Sequence, residues 1–215
     1  MWIWIVTTFA ATICTHFISL GCTRPAVTTL TRAESNQALW LGLFNLICMA
    51  PVSAAPVLYS CYTPPQQFRF IPELAKLALC YLSTETLFFI GHKALHTNML
   101  YRSIHYVHHR FGNPEPVCAF YAHPVEFAVV NVQSVILAPA FICVHPSVFT
   151  FWVCLSIWSG NMAHRSDAGV HRVHHRLPQA NFGIGLYMLD RWGSSFHIPQ
   201  PSPYQPDPIG RLETD

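Results

Sequence analysis

Three histidine boxes between residues 92 and 175 constrain this chain more than any other feature. They read His92-Lys93-Ala94-Leu95-His96, His105-Tyr106-Val107-His108-His109 and His171-Arg172-Val173-His174-His175. On a helix, residues three and four apart share a face. Each box is therefore expected to aim two or three imidazoles in one direction, at a common point if the segments converge. Neutral imidazole is the commonest metal ligand, and this density of it points to metal.

The rest of the sequence describes a membrane setting. Hydrophobic residues make up 52% of the 215 and charged residues 10%, against roughly 25% charged in an average globular chain. Much of the surface is thus expected to face something other than water. The net charge of +2 and the lack of any Lys/Arg-rich run exclude a nucleic-acid binder. The 8 cysteines are scattered without a Cys-x-x-Cys pair and read as reduced packing residues.

Residues 1–20 form an apolar run that begins without charge, which predicts a first membrane helix, with a retained or cleaved signal as the alternative. His16 within it is expected to be a polar residue satisfied inside the bundle. A polar loop over 21–37 leads to a second apolar run, Ala38–Tyr59, with Pro51 and Pro56 as kinks. A Pro-rich turn over 60–72 precedes a third run, Leu74–Gly91, roughly 27 Å long as a helix. It carries Lys76 and Glu85, the latter expected to pair, to line a cavity or to face the metal site from below, with cavity lining favoured. Residues 93–124 are polar. Two shorter apolar runs, Val125–Ile142 and Ser147–Trp158, flank His145-Pro146 and predict either a hairpin dipping into the membrane or two crossings. The tail from Ile198 is Pro-rich and expected to be extended or disordered.

The expected organisation is an all-α, multi-pass membrane bundle over 1–87, a histidine-box unit over 88–197 containing the hairpin 125–158, and a tail over 198–215. If the boxes face the cytosol, all of the 12 Lys and Arg except Arg69 and Lys76 fall on that side, as the positive-inside rule requires.

The boxes supply His92, His96, His105, His108, His109, His171, His174 and His175; His123 and His164 lie between the second and third. Ten nitrogen ligands suit two metals with four or five each, whereas one tetrahedral zinc needs four. No His-Glu-x-x-His is present, so a zinc protease is unsupported. Glu115, Glu126, Asp167 and Asp190 lack the Glu-x-x-His spacing of carboxylate di-iron bundles.

The order His-x-x-x-His, His-x-x-His-His, Ala-His-Pro-x-Glu, His-x-x-His-His resembles the fatty acid hydroxylase (sterol desaturase) superfamily over about residues 88–193. Tyr101 to Phe111 is similar to the family's second box with its flanks. Asn181-Phe182-Gly183 and Leu189-Asp190-Arg191-Trp192-Gly193 resemble the segments that follow the third box. The resemblance implies a membrane base under a cytosolic cap holding two iron ions at the ten histidines named above. It also implies O2 as cosubstrate and NAD(P)H-derived electrons through cytochrome b5 and its reductase. A lipid or sterol-like substrate and an endoplasmic reticulum membrane complete the expectation. Glu126 and Asp190 are expected either to orient imidazole N–H groups or to pair with surface arginines. The His164–His171 linker is shorter than in relatives; it would reposition His164, narrow the substrate entrance, or leave one metal short of ligands. The alternative is a non-catalytic or zinc- or copper-binding descendant. Arg102, Arg110, Arg165, Arg172 and Arg176 form a basic face that could dock an acidic donor or meet phospholipid.

Overall fold

The computed structural model describes residues 2–23, 28–65, 67–165 and 169–198, all helix or loop. The tail beyond residue 198 and Asp167 lie outside the described residues. The apolar runs become α1 (Trp2–Cys22), α2 (Arg32–Cys61), α3 (Phe70–Leu95) and α5 (Pro124–Phe141). Each of the four is long and apolar enough to cross a membrane. A short α4 (Asn98–Ser103) and a 3-10 turn (His105–Arg110) follow α3. After α5, α6 (Pro146–Ala163) returns the chain to the box end, where α7 (Val170–Arg176) and α8 (Met188–Trp192) complete the cap.

Local chemistry sets these boundaries. Thr31 and Glu34 form a capping box at the start of α2. Pro51 removes a helical N–H just after a π-helical stretch, Asn45–Met49, where the register loosens. Buried Asn45 there donates to the carbonyls of Phe120 and Ala122 (2.9 Å each) and fixes the loop leading to α5. α6 starts at Pro146, with His145 Nδ1 accepting from the Ser147 N–H. His145 is thus a cap at the hairpin tip.

α1 and α6 run parallel and join along a polar seam. Trp4 Nε1 donates to the Pro146 carbonyl (3.0 Å), and Thr8 meets Thr150 (2.7 Å between hydroxyls). At the box end, Asn161 Nδ2 lies 3.2 Å from His16 Nδ1 and donates to Ser19. His16 is fully buried against Phe120, a satisfied polar residue of the bundle. At the opposite end Glu73 accepts from Lys76 and from the His145 N–H (2.8 Å each), and Lys76 also donates to the Cys143 carbonyl. The tip of the α5–α6 hairpin therefore reaches the level at which α3 begins. The core between the helices is built from Leu46, Cys80, Phe127, Ile136, Val144, Phe149 and Trp152. All 8 cysteines are free.

Candidate metal centre

Nine of the ten histidines singled out above converge in two clusters. His92, His96, His105, His109 and His174 form one; His108, His164, His171 and His175 form the other. Within each cluster one nitrogen per ring lies within 4.8 Å of all the others. The clusters abut, with the His109 and His175 ring centroids 4.7 Å apart.

The boxes do not each aim at one point, as the spacing alone suggested. In the second box His105 and His109 join the first cluster and His108 the second. In the third box the assignment is exchanged: His171 and His175 join the second cluster and His174 the first. Adjacent residues on a helix project about 100° apart, so neighbouring histidines diverge to two flanking positions. His92 and His96, one turn apart at the end of α3, both face the first cluster. His164 follows the last turn of α6 and completes the second, so the short linker does not hold it away.

His123 belongs to neither cluster. It precedes Pro124 at the start of α5, and its Nδ1 accepts from the Val125 N–H (3.2 Å), a capping role.

Four rings are held in a defined tautomer by backbone carbonyls. His92 Nδ1 donates to Phe182 (2.7 Å), His174 to Ala180 (2.7 Å), His108 to Tyr121 (3.1 Å) and His164 to Gly160 (2.8 Å). A carbonyl only accepts, so each Nδ1 carries the proton and each Nε2 presents a bare lone pair. His108 Nε2 and His164 Nε2 face one another at 3.4 Å with no proton for either to donate. In the first cluster His92 Nε2 lies 3.0 Å from His105 Nε2, and His174 Nε2 lies 3.0 Å from His109 Nε2. Both ring nitrogens of His171 and of His175 are buried without a hydrogen-bond partner. Facing lone pairs and orphaned buried nitrogens are costly unless a cation sits among them. The nine rings fit two adjacent metal ions, and an all-imidazole set suits iron, zinc or copper.

Electrostatics agree. Burial, followed by the neighbouring imidazoles, lowers the pKa of His96 to about 4 and of His109 to about 2. Burial likewise brings His108 to about 4 and His164 to about 3. His105, His171, His174 and His175 are shifted the same way for the same reason. At neutral pH these rings are uncharged, the state a metal ligand requires.

The two expected carboxylates are both buried, and among the described residues neither pairs with an arginine. Glu126 Oε1 stands 2.9 Å from His105 Nδ1, at ion-pair distance though not in line for a hydrogen bond, and its other oxygen has no partner. Asp190 acts one step further out. It accepts from the N–H groups of Phe182 (2.9 Å) and Gly183 (2.6 Å) and from the Ser195 hydroxyl (2.6 Å). It thereby holds the loop whose Phe182 carbonyl fixes His92. Asn181 stitches the same loop to Val170 and His197. Glu115 accepts from the N–H groups of Thr29 and Leu30 and ties the cap to the start of α2. Of the basic residues, Arg172 and Arg176 share the Asn113 side-chain oxygen.

Beneath the histidines lies a cavity of about 1210 Å³ between α1, α2, α3, α5 and α6. Its lining is mostly apolar, from Trp4, Tyr62 and Phe149 at one end to His108, His164 and His171 at the other. Glu85, expected to line a cavity, lies on its wall.

Comparison with known proteins agrees with this geometry. The family model described as fatty acid hydroxylase matches residues 77–195. Human "fatty acid hydroxylase domain-containing protein 2" is 37% identical over 124 residues, covering 54% of this chain and 37% of that protein. A very-long-chain aldehyde decarbonylase of Oryza sativa is 28% identical over 124 residues (58% of this chain, 42% of the relative). A methylsterol monooxygenase of Arabidopsis thaliana is 26% identical over 118 residues (48% and 44%). The chain thus spans less than half the length of these relatives, and no solved structure matches it. With the family model covering more than half of its residues and the boxes gathered as described, the chain belongs to the fatty acid hydroxylase (sterol desaturase) superfamily.

Proposed function

We propose that this protein is a membrane-bound non-haem di-iron oxygenase that hydroxylates or desaturates a lipid substrate, using O2 and electrons supplied by a separate protein. One observation carries the reading: a large apolar cavity within the bundle ends on two adjoining, nearly all-imidazole clusters. Bound there, two irons would supply reductive activation of O2 and attack on an unactivated C–H bond.

The chain's own contribution is placement. The cavity exceeds the roughly 300–1,000 Å³ of common small-molecule sites and has room for a sterol-sized lipophile. Its mostly apolar lining would hold a lipophilic substrate with the reacting carbon toward His108, His164 and His171. The carbonyls of Phe182, Ala180, Tyr121 and Gly160 hold the Nδ1 protons and keep the opposite nitrogens turned inward. The relatives' names span hydroxylation, decarbonylation and methylsterol oxidation, so the outcome is set by how a substrate sits in the cavity. A sterol-like or other lipophilic small molecule in the endoplasmic reticulum membrane, with the clusters toward the cytosol and a cytochrome b5-type donor, completes the proposal.

Detergent-purified protein should contain about two irons per chain, and His171→Ala about one. Expression in a lipid-producing host should yield a lipid that differs from its precursor by one added oxygen or two lost hydrogens. Zinc or copper in place of iron, with no such product, would favour a metal-binding protein without oxygenase activity.

A further inference from the structure

α3 carries two polar side chains deep within its apolar length, and both are used by a distant loop. Tyr81 and Glu85 precede His92 by three and two turns, about 16 and 10 Å along the axis. Tyr81 Oη accepts from the Leu186 N–H (2.9 Å) and Glu85 Oε1 from the Tyr187 N–H (2.6 Å). The turn following Phe182 therefore descends beside α3, well below the histidine level. Gly185 permits the approach. Its φ is +79°, and any side chain there would collide with the Tyr81 hydroxyl. Ile184, Gly185 and Tyr187 line the cavity, whereas Leu186 faces outward and is 59% exposed.

We propose that residues 184–187 form a re-entrant turn embedded in the acyl region of the bilayer, with α8 resting at headgroup level above it. Irregular backbone at such depth is tolerated only where its polar groups are satisfied by protein or line a cavity, as Ile184 and Gly185 do. Tyr81 and Glu85 do this for two consecutive N–H groups, which explains why a carboxylate sits in the middle of a membrane helix. The Leu186 carbonyl is satisfied in turn by Arg191 Nε (3.2 Å). Arg191 lies 3.9 Å over the Phe196 ring, and Trp192 is 81% exposed. Arg191 thus reaches down from α8 to the turn beside an exposed tryptophan, and arginine with tryptophan is the pairing found at headgroup level. The occupant of this surface is hydrocarbon, since the turn is tied to Tyr81 and Glu85 within the membrane-length α3 and its Leu186 side chain is exposed. The inference rests on α3 crossing the membrane and is independent of the proposed reaction.

The test places an environment-sensitive fluorescent amino acid at position 186, 79 or 99 of the full chain, reconstituted in phosphatidylcholine vesicles. Nitroxides on the lipid headgroup or at acyl carbons 5 and 12, and aqueous iodide, serve as quenchers. Position 186 should be quenched at least twofold more by an acyl nitroxide than by the headgroup nitroxide. It should match position 79 within α3 and differ from position 99, which iodide should reach. Strongest quenching of position 186 by the headgroup nitroxide or by iodide would overturn the proposal. So would a lack of acyl quenching at position 79, since α3 would then lie outside the bilayer.

Discussion

Asp190 has no hydrogen bond to a histidine ring among the described residues, yet the orientation of His92 depends on it through Phe182 and Gly183. Asp190→Ala would leave two buried N–H groups and the Ser195 hydroxyl without an acceptor. A loss of about 3 kcal/mol is expected, read as a lower thermal midpoint in detergent, with weaker retention of metal; Asp190→Asn keeps one acceptor and should lose less. The lowered histidine pKa values give a second prediction. His96 and His108 titrate near 4 in the fold and near 6.5 when unfolded. Between those values the unfolded chain binds protons that the folded one refuses. Stability should thus be complete above about pH 6.5 and fall as the pH drops toward about 4; a flat midpoint across that window would contradict it. The histidine ligand candidates were legible in the sequence because their chemistry lies in the side chain. The carbonyls that orient them were not, since they belong to the backbone, in the case of His92 to that of Phe182, 90 positions away. His123 resembled a ligand by its motif, while the proline after it, a common first helical residue, was the available sign of a cap.

At the level of helices, the close approach of α3 and α5 at Gly91 bears directly on the site. A Cβ at Gly91 would stand 3.0 and 3.2 Å from the two Val130 methyl groups. Valine is stiff about χ1 and cannot turn both methyls away. Replacing Gly91 by alanine gains up to about 1 kcal/mol of helix propensity but costs about 1–3 kcal/mol in overpacking. We expect Gly91→Ala to destabilise by about 1 kcal/mol, and Gly91→Ala with Val130→Ala to lose less than the sum of the two single variants. Unfolding midpoints of all three would settle it. The long apolar runs made the membrane helices legible, but their ends were hidden. α3 extends to Phe70 and Leu95, beyond Leu74–Gly91, because Glu73 finds Lys76 and His145 while His92 finds the Phe182 carbonyl. The π-helical stretches at Asn45–Met49 and Phe127–Val132 have no periodic signature in the sequence.

For the molecule as a whole, composition and the spread of basic residues made a membrane bundle with one chemically active end legible. The path of the α5–α6 hairpin was left open, because its length is close to that of a bare span and tertiary partners decide where its tip rests. The basic face at the active end leads to a prediction about the proposed donor. Arg110 and Arg176 are exposed, and Arg110→Glu with Arg176→Glu should raise several-fold the concentration of an acidic electron donor needed for half-maximal turnover while leaving saturated turnover unchanged. An unchanged donor requirement would remove docking at this face. The polar seam between the first helix and α6 has a consequence for biogenesis. Trp4 and Thr150 are 146 positions apart; at roughly 5–20 residues per second, ~7–30 s of synthesis separate them. During that interval Thr12, Ser19 and Thr23 can rest on carbonyls of their own helix, so the early segment can wait in the bilayer. His164 emerges only three residues after Asn161, the partner of His16, and α7 later still. The two histidine clusters can therefore be completed only after nearly all of the described chain has left the ribosome, which makes any metal loading a late event coupled to closure of the bundle.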